Sequence, residues 1–208
     1  MRDPEFAKTQ VKGIFDPHVA PLNRFVEELR TRKPEEVPYI APVHGGVEAR
    51  ALTVLRDPGP ATQASRGTSG GFLCAENDDQ TAETQWQLLH HGGMDLSDAC
   101  PWNAYPWYIN RHPSAAQLTE GAAVLLELMN LLPRLRVVLL EGLAAQDAWS
   151  RLLRQDSVAE HSLGITVMTT YHPSTQALWH LDPAERERRR QHRLDSFASA
   201  GQLIRGEA

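Results

Sequence analysis

Short apolar runs alternate with helical patterns along most of the chain. In residues 21–32, Leu22, Phe25, Val26 and Leu29 recur at helical spacing, which predicts an amphipathic helix. Further helices are predicted at 79–91, 114–131 and 143–153 and from Pro183 onward. Short runs bounded by turn residues predict strands at 49–55, 94–101, 136–140 and 165–170. This alternation predicts an α/β fold, a three-layer sandwich with a central, mostly parallel four-stranded sheet and helices on both faces.

The remaining segments predict connections and one domain. Residues 61–71 are rich in Ser, Thr and Gly and predict a long loop, a kind of segment that often carries function. The charged run 186–193 is typical of a solvated helix face. Residues 1–6, Met-Arg-Asp-Pro-Glu-Phe, resemble a translated cloning linker and are set apart from the fold. Residues 7–208 are then predicted to form a single domain.

Charge and cysteine content narrow the class of protein. The net charge of -5 argues against a generic polyanion binder, whose affinity would depend on many phosphate contacts. Two cysteines are too few for a disulfide scaffold or a four-cysteine metal cluster. No long apolar stretch or signal peptide is visible, so we expect no membrane association. The low cysteine content favours the reducing cytoplasm. The protein is expected to be a monomer.

Polar side chains follow three of the predicted strands. Asp57 lies in Thr53–Pro60, Asn103 in Pro101–Tyr108 and His172 in Thr169–Ser174, and each stretch follows an apolar run and contains proline. Parallel strands bring their carboxyl ends to one edge of the sheet, where ligands of α/β proteins bind. Taken singly, each of the three residues also fits an ordinary turn. Together they predict a site at that edge.

In these segments the chain resembles the uracil-DNA glycosylase superfamily. Arg56-Asp57-Pro58 resembles its water-activating motif, and His172-Pro173-Ser174 matches the His-Pro-Ser motif near the end of the domain. Gly70-Gly71-Phe72 is similar to the segment with the base-stacking phenylalanine, and 137–146 to the strand and helix start before the last motif. The resemblance extends from about residue 47 to residue 203 and rests on the order of these motifs.

The resemblance implies a role for each candidate residue. Asp57 would orient water and stabilise positive charge on the sugar, and His172 would hydrogen-bond the carbonyl oxygen of the leaving base. Phe72 would stack on the extruded base, and Asn103 would bind its polar edge. No metal or organic cofactor is implied. The partner would be DNA containing uracil, with free uracil as product, and three further residues are candidates for phosphate contacts: Arg56, Ser65 and Ser174.

The chain also departs from the best-known branch of that superfamily. Gly59 stands where the branch has a tyrosine that excludes bases with a 5-substituent, so Gly59 predicts an open base pocket. The position of the branch's duplex-wedging leucine holds Gln176, with Leu178 and Trp179 just beyond. Three alternatives stay open: a mismatch or modified-base glycosylase, a catalytically silent nucleic-acid-binding relative, and an α/β hydrolase acting on a small nucleotide.

Overall fold

A four-stranded parallel sheet lies at the centre of the protein. The computed structural model describes residues 1, 3–64 and 70–206. The central strands are β2 (Ala51–Leu55), β4 (Ala99–Asn103), β5 (Val137–Glu141) and β6 (Thr166–Thr170), in the spatial order β4-β2-β5-β6. Two short strands, β1 (Tyr39–Ile40) and β3 (Phe72–Leu73), form a separate parallel pair.

Helices pack on both faces of the central sheet. Their bounds are α1 Pro4–Lys12, α2 Ala20–Arg32, α3 Gln80–His91, α4 Ala115–Met129, α5 Leu143–Gln155, α6 Ala159–Leu163, α7 Thr175–Leu178 and α8 Pro183–Arg205. Side chains alternate between the two faces along each strand. In β2, Leu52 and Val54 join the core cluster that includes residues of α2, α4 and α5, whereas Ala51 packs with residues of α3 and α8. The predicted three-layer α/β architecture is confirmed.

Local signals place several helix ends where the sequence predicts them. The Asp79 carboxylate caps α3 by accepting from the N–H groups of Thr81 and Ala82, and Gly92 follows its last turn. Ser114 and Gln117 form a reciprocal capping box at the start of α4. In α8, Glu185 pairs with Arg188 and Arg189, as expected for a solvated helix face.

Some boundaries differ from the prediction. The strand predicted at 94–101 begins only at Ala99, because residues 96–98 form a 3₁₀ turn closed by a capping box between Asp95 and Asp98. Residues 4–6, which the sequence analysis sets apart from the fold, form the first turn of α1, and Met1 is buried. No helix within the described ranges combines the length and apolar character that crossing a membrane requires.

Candidate active site

A cavity of about 1250 Å³ opens at the carboxyl ends of the central strands. Its walls include Asp57 after β2, Asn103 at the end of β4, Gly142 after β5 and His172 after β6. Within the central sheet, the strand that follows β2 in the chain is β4, which lies on one side of β2. The next strand, β5, lies on the other side of β2. The cavity therefore lies where strand order reverses, which is the usual ligand site of open α/β sheets.

The strand register aligns the residues that form the floor of this cavity. Leu55 pairs with Asn103, Val54 pairs with Leu140, and Glu141 pairs with Thr170. The last residues of the four strands thus form one row across the sheet. Since neighbouring residues in such a row point to the same face, Asn103 and Glu141 project on the same side of the sheet, one on each side of β2.

The carboxyl group of Asp57 is buried at the cavity wall, with its side chain 1% exposed. Burial raises the pKa of Asp57, while the hydrogen bond and charge of Arg56, the Asn110 backbone N–H and the charge of His112 act to lower it. Arg56 Nε donates to Oδ1, whereas buried Oδ2 has no hydrogen-bond partner among the described residues. Oδ2 is therefore the oxygen that can accept a hydrogen bond from water or substrate.

The ring of His172 is held as a neutral imidazole. Burial, together with the charges of Arg56 and Arg193, lowers its pKa to about 4. Its Nδ1 accepts the backbone N–H of Ser174 at 3.1 Å. A neutral imidazole that accepts at Nδ1 carries its proton on Nε2, so Nε2 is the donor that remains for a ligand.

Asn103 is 2% exposed, and its Nδ2 lacks a partner within the described part of the chain. Backbone hydrogen bonds from Ala104 and Tyr105 to the carbonyls of Leu55 and Arg56 continue the β2–β4 pairing beyond the strands. These bonds fix Asn103 relative to Arg56 and Asp57. A buried amide donor without a partner is costly, which is consistent with a ligand-binding group.

Gly142 brings β5 and the His172 segment together. Its φ of +94° is in the region that favours glycine, and its N–H donates to the Thr170 carbonyl at 2.8 Å. A Cβ at this position would lie 3.2 Å from the Cβ of His172. The glycine therefore allows the backbone at the start of α5 to approach the imidazole closely.

The other predicted site residues divide between the cavity and its surroundings. Arg56, Gly59, Ser174 and Gln176 line the cavity, and Gly59 faces open space, since a Cβ there would have no neighbour within 4 Å. Leu178 is half-buried in α7 and is not part of the cavity wall in the described residues. Ser65 lies outside the described residues.

Phe72 does not occupy the position predicted for it. Its side chain is 4% exposed and packs in a cluster with Met1, Ala7, Ala41 and Cys74, while the following residue, Leu73, lines the cavity. The ring centroid of Tyr39 is 6.4 Å away. The structure therefore corrects the base-stacking assignment: Phe72 is a core residue, because its strand β3 turns the ring toward this cluster.

Polar residues of the cavity wall that sequence reasoning did not select as site residues include Gln85, His112, Glu141 and Tyr171. Glu141 could have been found, since it is the charged residue that ends the apolar run Val137–Leu140. Gln85 could not, because it enters the site from the middle of α3 and has no local signature.

Within the described ranges, no group of three or more His, Cys, Asp or Glu side chains is arranged to hold a metal ion. No protein-family model matches the chain, and no curated protein is significantly similar to it.

Proposed function

We propose that the protein is a DNA repair glycosylase that flips uracil out of DNA and hydrolyses its N-glycosidic bond, leaving an abasic site. The observation that carries this proposal is that Asp57, Asn103 and His172, from three separate segments, line one cavity at the carboxyl edge of the sheet. Their order along the chain is also the order of the motifs in the uracil-DNA glycosylase superfamily, which the sequence resembles.

The geometry supports a division of labour between Asp57 and His172. Hydrolysis of a glycosidic bond places positive charge on the sugar and negative charge on the departing base. The Oδ2 atom of Asp57 accepts a hydrogen bond from the attacking water, and its carboxylate stabilises the sugar cation. Because Nδ1 of the neutral His172 ring accepts a hydrogen bond, its proton is on Nε2. Nε2 donates to the carbonyl oxygen of the leaving base, on which negative charge develops.

Base recognition is assigned to Asn103. Its amide presents a donor beside an acceptor, which matches the 4-carbonyl and N3–H of uracil. The unpartnered, buried Nδ2 is the donor of this pair. With Phe72 buried elsewhere, Tyr171 is an aromatic residue of the wall that can contact the base face. Its ring lies edge-on to His192, with the centroids 5.6 Å apart.

Contacts with the duplex are assigned to the rim. The side chain of Arg56 is 43% exposed despite its bond to Asp57, and Arg189 of α8 also lines the cavity. Leu143 is 81% exposed at the cavity wall, and Trp179 is 64% exposed two residues after Ala177, which also lines the cavity. These apolar groups are better placed than Leu178 to enter the gap left by a flipped nucleotide.

A mismatch or modified-base glycosylase is the second candidate, and the open space at Gly59 favours it. A pocket without a side chain at this point admits bases that carry a 5-substituent. A silent nucleic-acid-binding relative would have no use for the buried, unpartnered Oδ2 of Asp57 in the cavity, and a hydrolase of small nucleotides differs in its substrate, which the cleavage assay distinguishes.

The test is cleavage of oligonucleotides that contain one uracil, single-stranded or paired with adenine or guanine, followed by alkali. We expect strand breaks only at uracil, and a loss of at least ~10²-fold in single-turnover rate for Asp57→Asn, with DNA affinity retained. Asp147→Asn, which removes another arginine-paired carboxylate, on α5, serves as control and should cleave at the wild-type rate. DNA binding without breaks would instead support the silent relative, and cleavage of free nucleotides alone would support the small-nucleotide hydrolase.

A further inference from the structure

Glu141 brings a second buried carboxyl group to the cavity. The residue is 1% exposed and lines the cavity at the end of β5. Its Oε1 accepts the amide N–H of Gln85 at 2.7 Å, whereas buried Oε2 has no hydrogen-bond partner among the residues that the structure describes. Buried polar atoms are seldom left unpaired, so Oε2 is in a position to bind a polar atom of a ligand.

The position of Glu141 relates it to both His172 and Asn103. The residue after Glu141 is Gly142, whose backbone lies close to the Cβ of His172, so Glu141 and His172 come from adjacent segments of the cavity wall. Asn103 lies in the same row of the sheet on the far side of β2, about 10 Å away at two strand spacings. All three residues therefore line one cavity at the carboxyl edge of the sheet.

Burial favours the neutral carboxylic acid form of Glu141. Burial raises its pKa to about 8, while the hydrogen bond from Gln85 and the charge of Arg193 act to lower it. Arg193 of α8 donates from Nη1 to the His172 carbonyl, while its Nε and the Oε2 of Glu141 have no partner in the described part of the chain; burial lowers the pKa of Arg193. The other charged and titratable groups of the wall include Asp57 with Arg56, Asp78, Asp79, His112, Tyr171, Arg189 and His192. His44 and His172 also line the wall, and burial lowers the pKa values of both histidines to about 4.

The hydrogen bond from Gln85 determines which oxygen carries the proton. An oxygen that accepts an amide N–H acts as the carbonyl oxygen of the acid, so Oε1 is the acceptor and Oε2 bears the hydroxyl. The unpartnered atom of Glu141 is thus a hydrogen-bond donor that faces the cavity. A buried carboxylic acid of this kind can stabilise an oxyanion.

We propose that Glu141 is a further catalytic residue, whose Oε2 hydroxyl donates a hydrogen bond to the same carbonyl oxygen of the leaving base as His172. A carbonyl oxygen has two lone pairs and can accept from both donors. The pair forms an oxyanion site for the charge that develops as the glycosidic bond breaks. This inference rests on the proposed glycosylase function and gives a role to a residue to which the resemblance assigned none.

The test compares Glu141→Gln and Glu141→Ala in single-turnover uracil excision from about pH 6 to about pH 10. Glutamine keeps a donor that does not ionise, so Glu141→Gln should lose less activity than Glu141→Ala and should lack the loss that the wild type shows above pH 8. Glu141→Ala should lose ~10²-fold at neutral pH, as for removal of one oxyanion donor. Glu127→Gln, on the exposed surface of α4, is the control and should match the wild type, including its alkaline loss.

The same variants are tested for binding of free uracil by calorimetry, which keeps the two proposals distinguishable. If the wild type cleaves and Glu141→Ala cleaves equally well, the role of Glu141 is wrong and the glycosylase function stands. If Glu141→Ala does not fold, the profile of Glu141→Gln decides, and an alkaline loss that persists in this variant overturns the role. If the wild type does not cleave, the glycosylase function fails. In that case, weaker uracil binding by Glu141→Ala than by Glu141→Gln supports the role of Glu141 as a hydrogen-bond donor. Equal binding by the two variants, or no uracil binding by the wild type, overturns that role.

Discussion

At the scale of single residues, Gly59 sets the width of the proposed base pocket. It lines the cavity, and a Cβ built on it would meet nothing within 4 Å. Its φ of -77° and ψ of 167° are accessible to any residue, so no backbone strain requires glycine here. Tyr105 and Trp107, which could have filled the space, are buried against each other in the core, with ring centroids 5.1 Å apart.

We therefore expect the wild type to excise 5-substituted uracils, most readily from mismatches, where flipping a base costs least. Gly59→Tyr should restrict excision to uracil. The rate of uracil excision itself should change little, because the substitution leaves Asp57 in place. The measurement is single-turnover excision of uracil, 5-fluorouracil and 5-hydroxymethyluracil in matched and mismatched duplexes. Gly59→Ala, which adds little volume, is the control and should keep the wild-type range. A wild type that excises uracil alone would mean that another side chain closes this part of the pocket.

The candidate residues differ in how well sequence predicted their location. Asp57, Asn103 and His172 lie at the cavity as predicted, because each ends a strand or follows one within two residues and the carboxyl ends of parallel strands share one edge. The sequence did not predict the location of Phe72 correctly. Its segment forms β3 of the small second sheet, and a two-residue strand has no periodicity that would indicate toward which cluster the ring points.

At the scale of elements, the junction between β5 and α5 lies close against His172. Gly142 has a φ of +94°, and a Cβ at this position would lie 3.2 Å from the Cβ of His172. Gly142→Ala should lower the free energy of unfolding by about 1–3 kcal/mol because of the unfavourable φ. It should also slow uracil excision, since the imidazole has to move away from the added methyl group. Urea unfolding and single-turnover kinetics measure the two effects.

Gly164, between α6 and β6, provides the matched control. Its φ of +62° is also unfavourable for alanine, but a Cβ there would have no neighbour within 4 Å. Gly164→Ala should therefore destabilise the protein without slowing excision. Equal kinetic losses in the two variants would show that lowered stability, and not displacement of His172, accounts for the effect of Gly142→Ala.

The elements themselves were predicted best where local signals are strong. The α3 and α4 helices combine a side-chain cap with an apolar face, and both start where the sequence indicates. The start of β4 was misplaced because the capping box between Asp95 and Asp98 converts the preceding residues into a 3₁₀ turn. The four-residue helix α7 has no capping bond from the side chain of Ser174 and no buried residue, so no pattern in the sequence predicts it.

At the scale of the whole molecule, lining the cavity with buried titratable groups makes stability depend on pH. The folded state keeps His44 and His172 neutral, with pKa values lowered from 6.5 to about 4. Between these values the unfolded chain binds protons that the folded protein does not, so stability falls as pH decreases below 6.5. Glu141 acts in the opposite direction, because its pKa is raised from 4.5 to about 8 and the folded state retains a proton that the unfolded chain releases.

The free energy of unfolding should therefore be greatest near pH 6.5 and decrease on both sides. Each proton that the two states bind differently contributes at most about 1.4 kcal/mol per pH unit. The decrease should continue above pH 9, since burial raises the pKa values of Cys74 and Cys100 from 9.0 to about 12. Urea titrations across this range measure the profile in the wild type and in Glu141→Gln, which lacks the ionisable group and should lose less stability between pH 6.5 and pH 8. Stability that instead rises through this interval in the wild type would show that Glu141 is ionised in the folded protein.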